Sequence, residues 1–286
     1  MATVEVVGVS LAGGTFRADL RAVKMVWKRE LIRYFRNRIR IVTSLAQPVL
    51  FLFVLGSGLS PLIGRGSGPH VDFKTFMYPG VIAMTILFTA IFSAVSIVWD
   101  REFGFLREMM VAPVRRAALV TGKTLGGATV ATMQGVIMLL LGPLVHVPYH
   151  PVLIVELLVL MALCATMLTA IGVMAAGRMQ QVESFQVVMQ LVVLPMFFLS
   201  GAVFPLTGLP TWLSVLTQVD PLTYVVDPMR RAVFAHIHAS AAARQAYDPG
   251  LRWGHWLLPV PVELALVLAV TLGCLAVAVA MFSKQD

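Results

Sequence analysis

Apolar positions in this chain fall into long continuous runs, and the polar positions gather between them. Six runs approach or exceed the roughly 20 residues that a helix needs to cross a hydrocarbon core of about 30 Å. They are Ile39–Leu59, Tyr78–Trp99, about Leu119–Val145, Val152–Ala176, about Phe185–Phe204 and Trp256–Phe282. The runs do not alternate, which excludes the strands of a membrane barrel. Pro48 and Pro195 lie inside the first and fifth runs and predict bends there, because proline removes a helix hydrogen bond. The expected fold class is therefore an all-α integral membrane protein with six transmembrane helices. Met1–Leu20 has no compact apolar stretch after a basic start, so the first span is expected to act as its own insertion signal.

Three polar or mixed stretches carry further pattern. In Arg17–Arg38 the residues Leu20, Val23, Trp27, Leu31 and Tyr34 recur at helical spacing, while Arg17, Arg21, Lys24 and Lys28 occupy another face. This predicts a basic amphipathic helix lying at the membrane interface, with Lys24, Trp27, Lys28 and Leu31 as its anchors. Residues 1–38 thus form an N-terminal segment, and 39–286 form the membrane domain. Between the second and third runs, residues 101–112 form a short helix candidate ended by Pro113. It places Phe103, Leu106 and Met110 on one face among Arg101, Glu102, Arg107 and Glu108, a pattern suited to docking in a groove of another protein. From 204 to 255 the chain is long for a loop yet not very polar. Pro205, Gly208, Pro210 and Pro221 punctuate two short helical stretches, Thr211–Gln218 and Leu222–Phe234, which predicts an outer re-entrant helical hairpin.

Composition narrows the class. Charged residues make up 13% and hydrophobic residues 58% of the chain. About 25% charged would be usual for a soluble domain, so a soluble enzyme or a disordered chain is excluded. The net charge of +8 is not a nucleic-acid footprint. Sixteen of the 22 lysines and arginines fall on one side of the six-span arrangement, which places both termini in the cytoplasm of a multi-pass cell-membrane protein.

Candidate chemistry is sparse. Gly122-Lys123-Thr124 resembles the end of a phosphate-binding loop, but Ala117 stands where that loop needs glycine, and no buried strand precedes it. Gly122 and Gly126 read better as small residues that permit close helix packing. His236 and His238 have no carboxylate or thiol cluster beside them, so no metal site is expected. Cys164 and Cys274 lie in apolar runs and read as small buried hydrophobes. Glu263 lies inside the sixth run, where a charge facing lipid would cost about 2.5–3.5 kcal/mol, so it is expected to face protein or water. Gln186 and Gln190 share one face of the fifth run, continued by Val193 and Phe197. They are candidates for a substrate path or for hydrogen bonds between helices.

The stretches Asp100-Arg101-Glu102-Phe103-Gly104, Leu106-Arg107-Glu108, Pro113 and Gly122-Lys123 resemble the signature of ABC-2-type transporter permeases. The stretches Phe198–Pro205, Leu209–Leu213 and Asp220–Tyr224, followed by Asp227, Arg230 and Arg231, resemble that family's fifth-span end and outer region. The likeness is greatest to the daunorubicin-resistance-type drug-efflux permeases, and next to the permeases that export nodulation lipo-oligosaccharides. Asp220 stands where the pattern has asparagine. The resemblance implies a coupling helix at 101–112, a second permease chain (the same or a sister), and a separate ATPase subunit in two copies that holds the ATP and Mg, with no cofactor on this chain. The function implied is ATP-driven export of an amphipathic drug-like or lipid-like substrate. The readings it competes with are a proton-coupled secondary transporter using Glu263 and a lipo-oligosaccharide or polysaccharide exporter permease.

Overall fold

The computed structural model describes residues 16–63, 73–103, 115–206, 208–237, 244–245, 247, 250–254 and 256–283. Leu106, Arg107, Glu108, Met110 and His238 lie outside the described residues. Each apolar run of the sequence is helical over most of its length. The first begins as α2 (Arg38–Leu50), passes through a π-helical turn at Phe51–Leu55 and continues as α3 (Gly56–Ile63). Pro48, inside α2, precedes that widened turn by three residues, in line with the expected irregularity. Pro195, by contrast, is accommodated within one continuous helix, α8 (Val182–Leu199).

The second run spans Phe73–Glu102 as α4 (Phe73–Ser93) and α5 (Val95–Glu102), joined by a turn at Ala94. The third is α6 (Arg116–Leu139), and the fourth α7 (Pro151–Ala176). In the region between the fifth and sixth runs, α9 (Thr211–Val219) and α10 (Thr223–His236) match the two expected short helices. Two strands, β1 (Arg252–Trp253) and β2 (Trp256–Leu257), then pair antiparallel before α11 (Val260–Ser283). The sixth apolar run therefore starts as a strand: Trp256 pairs with Trp253, and the helix begins only at Val260.

Among the described residues five helices are long and apolar enough to cross a membrane: 41–60, 73–102, 151–176, 182–199 and 260–283. The third expected span, α6, has the length but not the hydropathy, because Lys123, Gln134 and its glycines and threonines dilute it. Those polar residues are the ones other helices cover. Lys123 and Gln134 are both buried.

The core is built on α4, whose residues from Phe76 to Leu87 are essentially inaccessible. It packs against α6 and α7, and α10 and α8 close around it. Small residues set these distances. A Cβ on Gly127 would sit 2.2 Å from Ser93 Oγ, and one on Gly172 would sit 2.9 Å from the Ile91 carbonyl oxygen. Side chains larger than hydrogen would force the three helices apart. The outward faces of α2, α8 and α11 are apolar, with Val42, Leu191 and Leu272 each more than 60% exposed. Such surfaces are suited to lipid or to another apolar face and not to water.

Candidate functional site

Helix α1 (Phe16–Arg36) does not stand apart from the bundle. It runs along α6, admitted by Gly122 and Gly126, whose missing side chains leave room for Val26 and Glu30. Trp27 Nε1 donates to Thr129 Oγ1 at 3.0 Å, and Tyr34 donates to Gln134 Oε1. Gln134 Nε2 in turn donates to Ser44 Oγ at 2.6 Å, which ties α6 to the start of the first span. Lys24 and Lys28 are exposed, while Trp27 and Leu31 are half-buried. Of the apolar stripe of α1, Val23, Trp27, Leu31 and Tyr34 are half-buried and Leu20 is exposed.

At the centre of this contact lies a buried ionic cluster. Lys123 Nζ is 2.8 Å from Glu30 Oε1 of α1, 2.8 Å from Asp100 Oδ2 of α5 and 2.9 Å from Ser96 Oγ. Arg29 Nη2 reaches the same Asp100 oxygen at 2.6 Å, and Arg33 stands 3.9 Å from the other. Lys123, Glu30 and Asp100 are each less than 10% exposed. Burying a charge is costly unless it is paired. Here three helices each contribute a charge, and each is paired. The sequence signal for Lys123 was its place in a decoy phosphate motif; its partners lie too far along the chain for spacing to find them.

The residues after Asp100 are engaged within the chain. Arg101 donates to the carbonyls of Ala176 and Met179 at 3.0 and 2.5 Å, closing the end of α7. Glu102 Oε2 accepts from the Val182 amide at 3.0 Å, satisfying one of the free donors at the start of α8. Phe103 is 64% exposed. The rest of the coupling stretch, Leu106 to Met110, lies outside the described residues.

A cavity of about 600 Å³ opens beside the ionic cluster. Glu30, Arg33, Tyr34 and Asn37 line it from α1 and the following link; Thr43, Ser44, Gln47 and Pro48 line it from α2. Across from them are Phe88, Thr89, Phe92 and Ser93 of α4 and Val95, Ser96 and Trp99 of α5. Gly127 and Val130 of α6 and Gln186 of α8 complete the wall. Gln186, Gln190, Val193 and Phe197 follow one face of α8, but their surroundings differ. The two glutamines are exposed, whereas Val193 and Phe197 are buried, Phe197 edge-on to Phe51 at 5.8 Å.

The far end of the bundle holds a second buried network. Glu263 is fully buried in the first turn of α11, and its Oε1 is 3.0 Å from Arg231 Nη2 of α10. The same nitrogen is 2.5 Å from Asp227 Oδ2, which also accepts from the Leu251 amide at 3.2 Å. Arg230 lies over the Phe76 ring at 4.3 Å and donates to the Gly201 carbonyl. Asp220 caps the start of α10, accepting from the Leu222 amide at 3.1 Å and from the Thr223 hydroxyl at 3.5 Å. Burial pushes its carboxyl up to about 7, against the pull of those two hydrogen bonds.

The remaining motifs are placed as follows. His236 packs its ring 4.9 Å from that of His150. No group of three metal-ligating side chains occurs among the described residues. Cys164 is buried, Cys274 is half-buried, and both are free thiols.

Taken together, apolar helices of membrane-crossing length, with Lys123 and Glu263 buried in ion pairs between helices, define a polytopic helical membrane protein. Residues 21–234 match the family model described as ABC-2 type transporter. The chain belongs to this family. It is 29% identical over 216 residues to the putative transport permease ycf38 of Cyanophora paradoxa, covering 74% of this chain and 73% of that protein. It is 27% identical over 208 residues to nodulation protein J of Rhizobium leguminosarum bv. viciae, covering 72% and 79%. To the inner membrane transport permease YadH of Escherichia coli (strain K12) it is 23% identical over 211 residues, covering 73% and 81%. The chain is accordingly a membrane permease of ABC-2 type, and its family implies an ATP-binding-cassette ATPase as partner.

Proposed function

We propose that the chain is the non-catalytic membrane subunit of an ATP-driven exporter that moves an amphipathic drug-like or lipid-like molecule out of the cytoplasm or inner leaflet. In this reading both termini are cytoplasmic, α6 is the remaining span of six, and the segment 204–255 dips back from the outer face. Two permease chains pair, each meeting one separately encoded ATPase that carries the ATP and Mg. The ATPase docks on residues 101–112, with Phe103, Leu106 and Met110 as its apolar contacts and Arg107 and Glu108 at their edge.

The observation that carries the reading is the Lys123 cluster. It joins α1, the last turn before the docking loop and α6 through one ammonium group. A push on the loop is therefore felt at once by the two helices that flank the cavity, as a switch between packed arrangements requires. Gln186 places the fifth span on that same cavity. The resemblance of the sequence to permeases that export nodulation lipo-oligosaccharides makes a lipo-oligosaccharide or polysaccharide the second choice of cargo. The proton-coupled reading is less favoured, because Glu263 is paired with Arg231 at 3.0 Å.

The test is transport in proteoliposomes. Export that needs the co-purified ATPase and ATP, and survives a protonophore, is expected. Export sustained by a pH gradient alone would overturn the reading.

A further inference from the structure

The cavity beside α1 has a mixed wall. Phe88, Phe92, Val95 and Trp99 line it from α4 and α5, and Pro48 and Val130 add apolar surface from α2 and α6. Polar side chains stand on α1, α2, α4, α5 and α8, so the mixture by itself selects no ligand shape. Charge is more selective. Three cations and two anions meet at the edge of the cavity: Arg29, Arg33 and Lys123 against Glu30 and Asp100. The close pairings all belong to Arg29 and Lys123. Asp100 Oδ2 is 2.6 Å from Arg29 and 2.8 Å from Lys123, and Glu30 Oε1 is 2.8 Å from Lys123 and 3.5 Å from Arg29. Arg33 is left with Asp100 Oδ1 at 3.9 Å, beyond hydrogen-bond distance. The cluster thus carries one positive charge in excess, and Arg33 is its most weakly held cation.

Arg33 also lines the cavity, with its side chain 48% exposed. The other donors of the wall agree with it. The hydroxyls of Tyr34, Thr43, Ser44 and Ser93 already donate to Gln134 Oε1 and to the carbonyls of Ile39, Ile41 and Ala90. The donors that remain characteristic of the wall are the Arg33 guanidinium and the amides of Asn37, Gln47 and Gln186, all on exposed side chains. A guanidinium fork matches a carboxylate or a phosphate with two parallel hydrogen bonds, and neighbouring amides can donate to the same group. A cationic ligand group at this place would add to the positive excess, and like charges brought together are costly.

Resting on the export reading above, we propose that this cavity binds an anionic amphiphile, its carboxylate or phosphate held at Arg33 and its apolar part set against Phe88, Phe92 and Trp99. The volume of about 600 Å³ is that of a small-molecule site.

The test uses the full chain with its ATPase in phosphatidylcholine nanodiscs and radiolabelled decyl phosphate. Decyltrimethylammonium, with the same chain and the opposite charge, and inorganic phosphate, with the charge and no chain, serve as competitors. Saturable binding is expected, with both competitors at least about tenfold weaker than unlabelled decyl phosphate. Arg33→Gln should weaken binding about tenfold, and Arg33→Lys, which keeps the charge, should recover most of that loss. Phe92→Ala should weaken binding severalfold, placing the chain in the same cavity. Co-purification with the ATPase confirms that each variant folds. Decyltrimethylammonium competing as well as decyl phosphate, inorganic phosphate competing as well, or folded Arg33→Gln binding like the parent would each overturn the assignment. A complex that exports with ATP but does not bind decyl phosphate sinks this inference and leaves the export reading standing. Binding of decyl phosphate by a complex whose export runs on a pH gradient alone does the reverse.

Discussion

Lys123 Nζ lies 2.8 Å from Asp100 Oδ2, joining α6 to the last turn before the docking loop, with both side chains less than 8% exposed. Removing the cation leaves Asp100 and Glu30 buried, with Arg29 as their remaining close partner. Breaking a buried pair from one side costs about 3–5 kcal/mol. Lys123→Met is therefore expected to lower the denaturation midpoint in detergent strongly. The double change Lys123→Met with Glu30→Gln should recover part of the loss, because one of the stranded charges is gone. Equal stability of the single and double variants would argue that Glu30 and Lys123 are not coupled.

The helices were legible in the sequence because membrane-length apolar runs report burial in lipid directly, and even the short pair α9 and α10 was visible from its proline punctuation. The ionic clusters were not. Glu30, Asp100 and Lys123 each sit in a segment with its own local explanation: an amphipathic helix, a charged loop edge and a glycine-rich helix. Only packing α1 onto Gly122 and Gly126 brings them together. In the sequence Arg101 and Glu102 look partner-facing, because charged residues beside an apolar stripe suit a docking surface. Their actual contacts, the end of α7 and the start of α8, come from the distant fourth and fifth spans. Glu263 was expected to face protein, and it does, but nothing in its spacing named Arg231.

Gly122→Ala places a methyl group 2.9 Å from Val26 Cβ and 3.1 Å from the Val23 carbonyl oxygen. The second contact is backbone, so α1 itself must shift. Overpacking of this kind costs about 1–3 kcal/mol. Gly273→Ala, in the middle of α11, meets nothing within 4 Å. There the same substitution should be neutral or stabilising by up to about 1 kcal/mol, since alanine favours helix over glycine. Denaturation of the two variants side by side checks the contrast. A destabilised Gly273→Ala with an unaffected Gly122→Ala would refute the packing of α1 on α6.

Asp220 gives a pH dependence of defined sign. Burial raises its carboxyl from 3.8 to about 7 in the folded chain. Between those values the folded state holds a proton that the unfolded state has lost, so stability falls as pH rises from about 4 to about 7 and is level above that. Asp220→Asn removes the ionisable group and keeps an oxygen for the Leu222 amide. The variant should be more stable than the parent at pH 8 by a few kcal/mol at most, and indistinguishable from it near pH 4. A parent whose stability rises through this window would contradict the assignment.

The orientation of the chain is testable at two exposed positions at opposite ends of the bundle. Arg115 begins the segment leading into α6, and Arg252 lies in β1. Cysteines placed singly at these positions in a Cys164→Ala, Cys274→Ala background should differ. The one at 252 should react with a membrane-impermeant maleimide on intact cells, and the one at 115 only after permeabilisation. The opposite pattern would invert the topology and move the docking loop to the outside.

Glu263 and Arg231 separate a structural charge from a transported proton. Arg231 Nη2 also contacts Asp227 Oδ2 at 2.5 Å, so neutralising Glu263 leaves the arginine with a carboxylate partner. Glu263→Gln retains a carbonyl oxygen for the 3.0 Å contact. It is expected to fold, to associate with the ATPase and to export with ATP at close to the parent rate. Arg231→Met strands two buried carboxylates and should cost about 3–5 kcal/mol, read as loss of folded protein. If Glu263→Gln instead abolished export while leaving folding and ATPase association intact, the carboxylate would have to act in transport itself. The buried pair at this end of the bundle would then be part of the pump's working cycle and not a clasp that holds α10 to α11.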